Sequence, residues 1–128
     1  VETHLGLIRL AQGHDTQALA VLTAAEHHFA TLSNREEPEY FLATAAQAFA
    51  RLRQGEADAL AALEAALEEL RHRHREPNNA LAETLALRTA AAVLLRHDDV
   101  AQWREREIAA LAALLGAAHP RTQAAPTR

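Results

Sequence analysis

An all-α fold of three stacked antiparallel helix pairs, about six helices, is predicted by three observations on this 128-residue chain. The first is composition. Hydrophobic residues make up 49% but aromatic ones only 4%, so the apolar content is mostly alanine and leucine, strong helix formers, and strand-favouring residues are scarce. The second is a phrase written twice. "LIRLAQGHDTQALAVL" (Leu7 to Leu22) and "FARLRQGEADALAALEAAL" (Phe49 to Leu67) share arginine-leucine-x-glutamine-glycine, an acidic residue, then an alanine-leucine helix. The third is the rhythm of the breaks: short turns near Gly13, Gly55 and His97 alternate with polar stretches at Ser33 to Tyr40 and Arg73 to Asn79. Ala18, Ala59 and Ala101 recur at steps of 41 and 42 residues. Such self-similarity marks helix-pair units that cannot bury their faces alone.

The elements follow in order. Leu5 and Ile8, with Ala11 or Gln12, share one face of the first helix, and "QGHD" (Gln12 to Asp15) ends it, with Asp15 a candidate N-cap for the second. That second helix carries Ala18, Leu19, Leu22, Ala25, Phe29 and Leu32 at three- and four-residue steps, an amphipathic stripe. Pro38 suits the first turn of the third helix, about Pro38 to Gln54, which Gly55 stops. The fourth runs from about Glu56 to His72 with Leu60, Leu63, Leu67 and Leu70 in register. The fifth, about Asn79 to Arg96, and the sixth, about Asp98 to Leu115, are joined by "HDD" (His97 to Asp99). Gly116 and Pro120 then end the order, leaving 117–128 as an expected flexible tail behind units of about 1–37, 38–78 and 79–116.

Composition also excludes functions. There is no cysteine, so thiolate catalysis and cysteine-ligated zinc are out. The net charge is −4 and every basic residue is arginine, with no basic stripe for sequence-blind nucleic-acid binding. The cluster "RHRHR" (Arg71 to Arg75) lies beside Glu68, Glu69 and Glu76, and one tryptophan and one tyrosine leave little to stack on bases. The longest apolar run, "AAAVLL" (Ala90 to Leu95), is far short of the roughly 20 residues of a membrane span, and no signal segment opens the chain. A soluble, cytoplasmic protein without a membrane partner is expected. The start at Val1, inside a helical pattern, suggests a piece of a larger protein.

Catalysis finds no foothold in the pattern. None of the eight histidines is three or four residues from another, the spacing two ligands on one helix face need; His27 and His28 are adjacent, His72 and His74 two apart. The pairs Glu36–Glu37 and Glu68–Glu69 are surface or loop neighbours, and Ser33, the only serine, lacks a nucleophile turn. No enzyme activity, metal or cofactor is expected. Trp103 suits a core or cap position on the sixth helix, or a contact with a following domain.

The spacing resembles the tetratricopeptide repeat (TPR) family. Leu5-Gly6 stand where that family places a leucine and a small residue, Gly13-His14-Asp15 form its turn, and Ala18, Leu22 and Ala25 match its second helix. Ala48, Gly55, Ala59, Leu63 and Ala66 repeat the set, whereas the third unit keeps Ala101 but has Arg96-His97 in place of glycine. Arg9 and Arg51 replace the family's tyrosine, and no proline ends the second helices. The step exceeds the usual 34 or so residues and is similar to longer bacterial variants of about 42, in which a segment like "LLGAAHPRT" (Leu114 to Thr122) closes a repeat.

The resemblance implies a right-handed α-solenoid and a non-catalytic protein–protein interaction scaffold. It suggests a module of a larger bacterial signalling protein, such as a serine/threonine kinase with a C-terminal array. The alternative is a ligand- or partner-sensing domain of a multidomain transcriptional regulator. It places Leu7, Leu10 and Ala11, then Leu42, Ala45, Phe49, Leu52 and Arg53, then Glu83, Ala86 and Ala90 on a concave groove. That stripe is apolar and lacks the carboxylate-clamping set of chaperone-binding relatives, so the expected partner is an amphipathic helix or hydrophobic peptide segment, from another protein or the parent chain, or a second copy in a homodimer. A register slip of one residue would turn Phe49 into the core instead.

Overall fold

The computed structural model describes residues 2–31, 37–74 and 76–127, and every regular element among them is a helix. In order they are α1 (Glu2–Ala11), α2 (Asp15–Thr31), α3 (Pro38–Arg53), α4 (Ala59–Arg73), α5 (Asn79–Leu94), α6 (Val100–Leu115) and the short α7 (Pro120–Ala124), followed by a 3-10 turn at Ala125–Thr127. The all-α class read from composition is what the chain adopts. Leu32, Ser33 to Glu36 and Arg75 lie outside the described residues. No helix among those described is long and apolar enough to cross a membrane.

The helices α1, α3 and α5 end alike. Gly13, Gly55 and Arg96 adopt positive φ of 78°, 93° and 56°. Their N–H groups donate back to Leu10, Leu52 and Val93 at 3.0, 3.0 and 3.2 Å, satisfying carbonyls that a helix end leaves orphaned. Glycine accepts the left-handed region freely, whereas a side chain there costs about 1–2 kcal/mol. The third turn therefore centres on Arg96 rather than His97. That shift corrects one expectation: Ala18 and Ala59 are buried, but Ala101 is exposed, because Val100 now stands four residues past the turn, as Ala59 does.

Packing organises around α3. It touches α1, α2, α4 and α5, and ten of its residues, from Phe41 to Leu52, are buried. The helix α5 touches α3, α4 and α6, while α6 meets only α5, α7 and the 3-10 turn among the described elements. One core cluster runs from Leu10, Ala18 and Leu22 through Leu42, Phe49, Leu63 and Leu70 to Ala91, and a smaller one gathers Ala82, Leu111 and Ala125. Small residues set the close approaches. A Cβ on Gly6 would stand 2.5 Å from Leu22 side-chain carbons, so α1 meets α2 backbone-first at that point.

That contact sets which face of α1 is buried. Thr3, Gly6 and Leu10 are buried, while Leu5 and Ile8 point outward. Asp15 is not a cap but the first residue of α2, its carboxylate paired with Arg53. The flexible tail expected at 117–128 is also corrected. His119 caps α7 by accepting the Arg121 N–H on Nδ1 at 3.1 Å, Thr122 donates to the Gly116 carbonyl at 2.9 Å, and Arg121 pairs with Glu83 of α5. Thr122 and Ala125 are buried. With this, α3, α5 and α7 begin at Pro38, Asn79 and Pro120, at a constant step.

Candidate binding groove

A half-open groove of about 440 Å³ lies between α1, α3, α5 and α6. Leu7, Leu10 and Ala11 form one wall, Phe49 and Arg53 the floor, and Glu83, Ala86, Leu87, Thr89, Ala90 and Val93 the opposite wall, with Arg104 and Glu107 at its α6 side. Eight of the eleven residues expected in a groove are thus brought together: Leu7, Leu10, Ala11, Phe49, Arg53, Glu83, Ala86 and Ala90. The cause is local. On α5, residues 83, 86, 87, 90 and 93 fall at three- and four-residue steps, which puts them on one helix face.

Leu42, Ala45 and Leu52 are elsewhere. They are 0%, 0% and 4% exposed and belong to the core, because α3 is packed against four other helices and only the strip through Phe49 and Arg53 meets the opening. Phe49 itself is 6% exposed, so it supports the groove floor from the core. Arg53 is held in place: it donates to the Leu10 carbonyl at 2.6 Å, pairs with Asp15, and sits 5.0 Å over the Phe49 ring. One guanidinium thereby ties the α1–α2 turn to α3. Glu83 is likewise occupied by Arg121.

Sequence reading missed Leu87, Thr89 and Val93, although they continue the α5 stripe it had found. It could not find Arg104 and Glu107, since α6 joins the groove through a crossing angle that no spacing records. A second polar cluster went unseen as well. Arg88, 3% exposed, reaches Glu64 at 3.5 Å and Asp99 at 3.9 Å, and its guanidinium lies 4.3 Å from the Trp103 ring. Arg106 lies 4.6 Å from the same ring, and the indole N–H donates to Asp99 at 3.0 Å. Trp103 is therefore a tie between α5 and α6. Among the described residues no group of three His, Asp or Glu side chains could hold a metal ion.

Comparison with protein-family models, with curated proteins and with solved structures found no match to this chain.

Proposed function

We propose that the chain is a non-catalytic interaction module, a TPR-like stack of helix pairs that binds an amphipathic helical segment of a partner protein in the groove between α1, α3 and α5. The observation that carries this reading is the groove's makeup. Its walls are mainly alanine, leucine and valine; of its four charged residues Arg53 and Glu83 are each paired within the fold and Glu107 is buried, so what is left to offer a ligand, beside Arg104 at the α6 side, is mainly apolar surface. Val93, 51% exposed on the wall, is a side chain whose burial by a partner would be favourable. Helical walls lined at three- and four-residue steps suit the ridges of another helix. The constant spacing of α3, α5 and α7, and the shared turn geometry at Gly13, Gly55 and Arg96, support the repeat reading. The wider setting we propose is a bacterial signalling protein, with a sensing domain of a transcriptional regulator as the second reading.

The test is selection of binders from a displayed library of amphipathic helical peptides, followed by mapping of the selected peptide on the labelled chain by NMR. Shifts concentrated at Leu7, Ala86, Ala90 and Val93 are expected. Shifts confined to the outer faces of α2 and α4 would refute the groove as the site.

A further inference from the structure

A second surface stands apart from the groove. On α1, Leu5 is 40% and Ile8 53% exposed, three residues apart and so neighbours on one helix face. Their counterparts within the chain are covered. Matching α1, α3 and α5 on their common ends at Gly13, Gly55 and Arg96 aligns Leu5 with Gln47 and Arg88, and Ile8 with Ala50 and Ala91. Those four are 4%, 3%, 0% and 0% exposed. For Gln47 and Arg88 part of the cover comes from the helix before, Arg88 also lying against Trp103 and Asp99. The Thr23 hydroxyl of α2 donates to Gln47 Oε1 at 3.2 Å, and Glu64 of α4 pairs with Arg88 at 3.5 Å, each partner lying twenty-four residues earlier in the chain. The same contact is made twice, residue for residue, and α1 presents the equivalent face with no such helix on it among the described elements.

We infer that the outer face of α1 is a docking surface for a second helix of the α2 and α4 kind, supplied by a further hairpin of this same repeat pattern. The side chains specify the occupant more closely. Where the covering helix offers Thr23 or Glu64, the first helix answers with polar Gln47 or Arg88; Leu5 and Ile8 ask for an aliphatic residue at that position. The inference rests on the repeat reading and is independent of what the groove binds.

The experiment adds such a hairpin to the full chain. A copy of residues 38–83 placed ahead of Val1 keeps the register, with Glu64→Leu in the copy to meet Leu5. Ile8→Asp should leave the melting temperature of the original chain essentially unchanged, yet lower that of the extended chain by several degrees. The extended chain with Glu64 retained in the copy should melt below the one carrying leucine. If Ile8→Asp is as harmless in the extended chain as in the original, the surface does not take this helix and the inference fails. If the original chain sediments as a dimer that Ile8→Asp dissociates, the occupant is a second copy, and the inference is overturned in favour of self-association. Neither outcome bears on peptide binding at Val93, so failure here is distinguishable from failure of the groove.

Discussion

At Gly6 the absence of a side chain is what lets α1 approach Leu22, and a methyl group there meets carbons at 2.5 Å. Gly6→Ala should therefore destabilise by about 1–3 kcal/mol through overpacking, although alanine is the better helix former. Urea unfolding is the check; a variant as stable as the parent would mean that α1 lies farther from α2. Gly6 was legible as the small residue of the repeated spacing, but which face of α1 is buried was not, because a short helix rich in leucine and isoleucine offers two candidate faces and only the close contact chooses between them. Arg88 was illegible for another reason. A lone arginine on an alanine-rich helix reads as solvated, whereas its partners Glu64, Asp99 and Trp103 come from two other elements. Arg88→Ala should cost about 1–3 kcal/mol from lost packing and cation–π contact, softened because both carboxylates keep access to water. Trp103 fluorescence gives a direct reading, and an unchanged emission maximum together with an unchanged melt would contradict the contact.

Elements differ in how firmly they are held. The helix α3 buries ten residues among four neighbours, while α6 buries only Glu107 and Leu111 and leans on α5 and the short C-terminal helix. Local opening follows contact with the core, so amides of α3 should exchange slowest and those of α6 fastest among the long helices. Hydrogen exchange followed by mass spectrometry decides it; equal protection of α3 and α6 would contradict this gradient. Removal of residues 117–128 strips Ala125 from beside Leu111, breaks the Thr122 hydrogen bond to the Gly116 carbonyl and frees Glu83 from Arg121. It should lower the melting temperature, whereas loss of a flexible tail would not. Gly116 and Pro120, as helix breakers, made the segment after α6 read as a tail. Its place in the 41-residue rhythm, with Pro120 following Pro38 and Asn79, was the stronger signal.

For the molecule as a whole, periodicity carried more information than any motif. The beat of turns and alanines located the helices and gathered eight of the eleven residues expected in the groove, since a shared spacing transfers one face assignment from helix to helix. It failed at Leu42, Ala45 and Leu52, where the centrality of α3 turns a predicted surface into core, and at Arg104 and Glu107, which arrive through tertiary geometry. Phe49→Glu is consequently a poor probe of binding, because it would bury a carboxylate in the core. Val93 lines the same groove while half exposed, so a charge there stays in contact with water and should leave the fold intact. The most direct measurement of the central claim is thus the dissociation constant of a selected helical peptide for the parent and for Val93→Glu, with thermal melts in parallel. The account predicts matching melts and at least a tenfold weaker complex, about 1.4 kcal/mol. Equal affinity for the two proteins, with both folded, would contradict the groove as the binding surface.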